Sequence, residues 1–414
     1  MTRTSTRRLI DRREFLRCAG SGAAAAALTR LHVALDALPQ AGNEKFLTIL
    51  NLAGGNDGLN TVVPFTLSAY NEKRPTLRID QASGLMLPGN ALYVLHPSLV
   101  NLAKLYAEGS VAIVLKVGYP RPSLSHFSSM KVWSRGYRQD LAPDSGWIAR
   151  YKDLFAPNPE HVISLGTGRR LDFSGGTTSS LILNSVAGFG LHEDERYLAN
   201  SKHRGEVIAE ILANTDTSGL RQPVRKAIQL SYESIHRFES AVKSYKSLVV
   251  YPSTRLGRRL REMAMVVQAG LGTRIFYTLS GGFDTHGSQG ARHAALLTGV
   301  DTALAAFAQD LKDSGAWNRA AVCVISEFGR RSAENGSGGT DHGSGSVVLV
   351  IGGAVRGGIY GPDPSEADLL QSHVPYEIDF RSIYRELLDK HLGADSSRVF
   401  TEKQVRTHRL GFLA

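Results

Sequence analysis

The stretch TRIFYTLSGGFDTH, residues 273–286, sets an apolar run rich in β-branched and aromatic residues before two glycines, and an acid and an imidazole after them. Such a run, closed by glycine, is the pattern of a buried strand passing into a loop. Downstream, His293, Leu297, Val300, Leu304, Phe307 and Leu311 recur three or four apart, which predicts a helix with one apolar stripe. AAVCVISEFG (320–329) and SVVLVIGG (346–353) then repeat the strand-to-glycine pattern. Upstream, KFLTILNL (45–52), the helical LVNLAKLYAEG and SVAIVLKVG (110–118) do the same. Strands alternating with helices predict a three-layer α/β fold, a mostly parallel sheet with helices on both faces. In such sheets ligands gather beyond the carboxyl ends of the strands.

Residues 203–270 break the alternation. GEVIAEILANT, PVRKAIQLSYESIHRFESAVKSYKS and RLGRRLREMAMVVQAGL are helical by periodicity, so they are expected to form a helical insertion or cap within one domain covering residues 42–414. Hydrophobic residues make up 42% and charged residues 21% of the 414, which excludes a disordered or coiled-coil chain.

The first 41 residues hold seven arginines against Asp11, Glu14 and Asp36, so +4 of the net charge of +10 lies there. The remainder, about +6, suits anionic substrates but shows no basic-aromatic stripe, and no nucleic-acid partner is expected. Within this segment DRREFLR (11–17) precedes an Ala-rich run and resembles a twin-arginine export signal. Arg30 and His32 interrupt that run well short of the roughly 20 apolar residues a membrane-spanning helix needs. The expectation is cleavage near Ala37 to Ala41 and a periplasmic product that meets the twin-arginine machinery and keeps no stable membrane anchor. Of the two cysteines, Cys18 lies in this leader and Cys323 is alone beyond it, so no disulfide framework is expected.

The segments after the predicted strands carry the chemistry. GGNDGLN, GGFDTHGSQ and SEFGRRSAENGSGGTDHG bring Asp57, Asp284, His286, Glu327, Asp341 and His342 to loops at strand ends. These are oxygen and nitrogen donors without a thiolate, a set admitting Zn²⁺, Mn²⁺, Mg²⁺ or Ca²⁺ as one or two ions. Each residue alone also has a plain structural reading. Asp57 suits a turn, Asp284 a helix start, Glu327 with Arg330 a local ion pair, and His293 the core side of its helix. The loop after the strand at 110, YPRPSLSHFSSMKVWSRG, offers Ser125 beside His126 as a nucleophile for ester cleavage. No G-x-S-x-G elbow supports a serine esterase.

The order GGNDGLNTVVPF, SHF…W, GGFDTH, SEFGR…EN…GTDHG, GGIYG and DFRSIYRELL, from about residue 45 onward, resembles a family of exported bacterial proteins grouped with the alkaline phosphatase and sulfatase superfamily. The resemblance implies an alkaline-phosphatase-like fold and a divalent metal. Asp57 would match the first-strand ligand, and Asp284 with His286 the central Asp and His pair. Glu327 would hold the place of the superfamily's Asp-His dipeptide, and His342 that of its last histidine, with Asp341 either a ligand or the partner that orients an imidazole. Ser125 would be the nucleophile, His126 its neighbour in catalysis, and Arg330 the group stabilising the anion. The expected function is an exported, metal-dependent hydrolase of phosphoric or sulfuric esters, acting on an anionic small molecule or glycan ester. The alternative is a non-catalytic, metal-stabilised binding or assembly protein on the same fold.

Overall fold

Strand β1, Phe46–Ala53, is apolar on both sides because each side packs against a separate helical layer. Phe46, Leu50 and Leu52 enter one buried cluster, and Leu47 and Ile49 enter another. The computed structural model describes residues 42–137, 143–168, 170–189, 206–211, 213, 221–401 and 407–413. The expected leader lies outside the described residues. The chain folds as two compact units. The first takes in residues 1–38 and 190–237, in which the described stretches 206–211 and 221–237 are helical.

The second unit, residues 39–189 and 238–414, is built on a nine-stranded sheet. With β1 its strands are β2 (Val111–Gly118), β3 (Val162–Leu165), β4 (Leu181–Leu183), β5 (Ile275–Gly281), β6 (Ala320–Ile325), β7 (Ser346–Ile351), β8 (Gly358–Tyr360) and β9 (Ile378–Asp379). Their order is β8-β2-β7-β6-β1-β5-β3-β4, with β9 also on β2. Every pairing is parallel except those of β7, which runs antiparallel to both β2 and β6.

Helices cover both faces. The short helix α1 (Gly58–Thr61) follows β1, and α2 (Val100–Ala107), α5 (Arg255–Gln268) and α6 (Gln289–Asp313) bury their apolar sides in one cluster. On the other face α3 (His126–Arg135), α4 (Trp147–Phe155) and α7 (Phe380–Glu386) pack around Trp133, Trp147 and Tyr384. Fully burying one such side chain contributes roughly 1.5–3 kcal/mol, so the strand-face alternation alone commits β1 and β2 to the middle of the unit. The fold class is thus the α/β arrangement expected. The orientation of β7 is the departure, and it decides where the site forms. A strand reversed among parallel neighbours starts at the edge where they end, so the loop before β7 joins the loops after β1, β2, β5 and β6. Among the described residues no helix is long and apolar enough to cross a membrane.

Candidate metal centre

Three imidazoles and one carboxylate meet at that edge. His126 is the first residue of α3, at the end of the loop from β2. Asp284 and His286 follow β5, and His342 precedes β7. His126, Asp284 and His342 each offer one donor atom within 4.8 Å of the others. His286 joins them, its Nε2 lying 3.1 Å from Asp284 Oδ1 and 2.9 Å from His342 Nε2. His342 Nε2 is 3.2 Å from Asp284 Oδ1, and His126 Nε2 is 3.4 Å from Asp284 Oδ2.

The outer nitrogens explain which way the rings present themselves. His126 Nδ1 meets Glu327 Oε1 at 2.8 Å, His286 Nδ1 meets Asp341 Oδ1 at 3.2 Å, and His342 Nδ1 meets the Leu124 carbonyl at 2.7 Å. Carbonyls and ionised carboxylates only accept, so each Nδ1 carries the hydrogen and each neutral ring turns a bare Nε2 inward. His126 Nε2 is buried without a hydrogen-bond partner. The His286 and His342 Nε2 lone pairs face each other at 2.9 Å, which repels unless a positive charge stands between or beside them. Imidazoles fixed through Nδ1 by carboxylate or carbonyl, with Nε2 converging beside a carboxylate, fit a metal ion.

The field at the cluster is arranged to keep the acids ionised. Burial opposes ionisation of Asp284, but the hydrogen bond and charge of Arg330 and the neighbouring imidazoles outweigh it, and its carboxyl falls to about 2. Glu327 is lowered likewise: burial opposes, and the hydrogen bonds from His126 and from backbone amides, including that of Gly54, prevail. The hydrogen bond to Glu327 raises His126. Desolvation lowers His342. Asp284 and His286 are each 45% exposed at their side chains, so the cluster opens to solvent.

Several expected site residues stand elsewhere. Asp57 is fully buried. Its Oδ2 takes Arg74 at 2.6 Å and Gln289 at 2.5 Å, while Oδ1 caps α1 through the Asn60 amide. Both oxygens of Asp57 are thus engaged by protein donors. Glu327 is not aimed inward either: Oε1 accepts from Gly54 N–H at 2.9 Å and holds His126, and Oε2 faces Ser326. Asp341 lies behind His286, where it also accepts from Asn335 Nδ2. Arg330 is not free to meet an anion. Its guanidinium is spent on the Gly54, Gly55, Phe283 and Thr340 carbonyls and on Asp284, a clasp that ties three loops together. Ser125 is exposed at the position before α3, and its side chain caps no amide of that helix. His293 is buried and hydrogen-bonded to Asn56, with burial pulling it down to about 4.

Sequence reading placed His126 beside Ser125 in catalysis and not among the metal donors, whereas the structure brings it into the cluster with Asp284 and His342. Its place at a helix start just after a strand was the available signal. Its Glu327 partner lies 201 residues away and gave none. Glu327→Gln keeps the size but gives up the charge that fixes His126, and zinc affinity measured by chelator competition is expected to fall about 10-fold.

A family model described as "Protein of unknown function (DUF1501)" matches residues 115–411. No curated protein matches the sequence. Among solved structures, the chain is similar to the PsFucS1 sulfatase of Pseudoalteromonas sp., at 13% identity and a TM-score of 0.34 over 84% of this chain and 70% of that one. It is similar to a protein in the alkaline phosphatase superfamily from Vibrio parahaemolyticus, at 12% identity and a TM-score of 0.36 over 92% and 79%. The alkaline phosphatase of the Antarctic bacterium TAB5 is 10% identical, with a TM-score of 0.32 over 87% and 100%. No residue correspondence follows from likenesses at this level.

Proposed function

The chain belongs to the DUF1501 family, which prescribes no activity, and from the site alone we propose a metal-dependent hydrolase of phosphoric or sulfuric esters. The observation that carries this reading is the inward convergence of the His126, His286 and His342 Nε2 atoms on Asp284 at a solvent-open edge. Three imidazole nitrogens and one carboxylate, without a thiolate, favour zinc over the oxygen-seeking Mg²⁺ and Ca²⁺. An ion held there supplies Lewis-acid polarisation and neutralises charge on the ester oxygens.

Glu327, Asp341 and the Leu124 carbonyl hold the three rings in their ligating tautomer. Arg330 keeps Asp284 ionised and in place. Ser125, which directly precedes His126, is the proposed nucleophile. Its Oγ attacks the phosphorus or sulfur, the bond to the leaving oxygen breaks, and the hydroxyl proton ends on the departing alcohol. Water then cleaves the seryl ester, restoring the hydroxyl and releasing the inorganic anion. The net positive charge and the open site suit an anionic small molecule or glycan ester. The proposed location is the periplasm, reached through the twin-arginine route.

A metal-stabilised binding protein competes with this reading, and the committed guanidinium of Arg330 favours it. Aryl phosphates and aryl sulfates assayed with zinc-loaded wild type and Ser125→Ala separate the two. The expected result is turnover by the wild type that falls more than about 1,000-fold in the variant. Absence of turnover by zinc-loaded wild type on both ester classes favours the binding protein.

A further inference from the structure

We propose that Gln289 is a positioning residue of this centre, setting the separation of the two loops that carry Asp284, His286 and His342. The inference rests on reading the cluster as a metal site. Gln289 is the first residue of α6 and is fully buried. Its Oε1 accepts from Thr285 Oγ1 at 3.0 Å and from Thr340 Oγ1 at 2.6 Å. Thr285 stands between Asp284 and His286, and Thr340 stands two residues before His342. Both hydroxyls are buried with it. One carbonyl oxygen, with two lone pairs, thus takes one hydroxyl from each ligand-bearing loop.

The amide cannot turn over. Its Nε2 donates to Asp57 Oδ2 at 2.5 Å, and an ionised carboxylate accepts but never donates. Arg74 pins that carboxylate at 2.6 Å, and also donates to the Arg331 and Ser332 carbonyls at the root of the His342 loop. The backbone follows the same line, Thr340 N–H meeting the Thr285 carbonyl at 3.2 Å and Gln289 N–H the Gly338 carbonyl at 2.8 Å. Asp57, which sequence reading placed on the metal, acts on the centre through Gln289. Glutamate has the same length at position 289 but would set a second carboxylate against Asp57.

The test measures zinc affinity of the full chain by competition with a chromogenic chelator, with Co²⁺ absorption as a report on coordination and circular dichroism as a check on folding. Gln289→Met keeps volume and removes both polar ends. It is expected to weaken zinc about 10- to 100-fold and to alter the Co²⁺ bands. Thr285→Val with Thr340→Val should match it, and adding Gln289→Met to that pair should cost nothing more, because all three remove the same joint. Thr340→Ser, which restores a hydroxyl, should bind within about twofold of wild type. If Gln289→Met does not fold, the threonine pair and its serine rescue carry the test. Folded Gln289→Met with wild-type affinity, or Thr340→Ser as weak as Thr340→Val, overturns the inference. Absence of zinc binding in the wild type overturns the metal reading and this inference with it.

Discussion

His342→Ala is expected to abolish stoichiometric zinc binding and every response of thermal stability to added zinc. His342 Nε2 lies within 3.2 Å of both Asp284 Oδ1 and His286 Nε2, so removing its ring takes one donor and opens the centre to water. Partners that merely orient a ligand cost 10- to 100-fold in affinity when lost, and a direct ligand costs more, so the loss should exceed about 100-fold. Ligand linkage converts this into stability: the wild type at zinc a thousandfold above its Kd gains about 4 kcal/mol over the metal-free chain, and the variant gains almost nothing. Metal analysis by mass spectrometry and thermal melts with and without zinc measure both. Wild-type zinc content in the variant would remove His342 from the ligand set.

The second large effect concerns stability alone. Arg74→Met leaves Asp57 as a buried charge facing only Gln289 and the Asn60 amide, and should destabilise the main unit by about 3–5 kcal/mol near neutral pH. The side chains of both partners are fully buried, so solvent screening does not soften the loss. In the wild type, burial opposes ionisation of Asp57, but the charge and hydrogen bond of Arg74 overcome it and hold the carboxyl below its ordinary 3.8. A group lowered in the folded state contributes stability above its unfolded pKa and loses it as pH falls through the folded value. Without Arg74 the burial cost is unopposed, and protonation relieves it. The gap in urea midpoint between wild type and Arg74→Met should therefore narrow from pH 7 to pH 4, and Asp57→Asn added to Arg74→Met should recover part of the loss. A gap that widens with acid would contradict the pairing.

How far the sequence could be read depended on the range of the interaction. β1, β2, β5 and β6 announced themselves because both faces of each are buried and their runs end in glycine. Asp284 and His286 announced themselves by lying just past such a run, and His342 by standing in a glycine loop just before one. Asp57 had the same signature and a different fate, because its partners Arg74 and Gln289 lie 17 and 232 residues away. A carboxylate neutralised by a distant guanidinium is indistinguishable in sequence from one waiting for an ion. Glu327 and Asp341 had that signature too, and stand one step removed, hydrogen-bonded behind His126 and His286. The antiparallel course of β7 was equally hidden, since a strand buried on both faces has the same composition in either direction. It was the missing fact behind the odd placement of Asp341 and His342 ahead of their strand.

That reversed strand also settles when the centre can exist during folding. Zinc fingers gather their ligands from a short segment, so the ion can organise a chain that is otherwise unfolded. Here His126 comes from beyond β2, Asp284 and His286 from beyond β5, and His342 from the approach to β7. His126 and its Glu327 support are 201 residues apart, and His342 and Asp284 are 58 apart. Contacts of such separation form late, after the loops between them have been closed at an entropic cost. No nascent fragment ending before His342 holds the whole set, so an ion at this centre would not template the early chain. Capture of an ion there would report instead that the last central strand stands between β2 and β6.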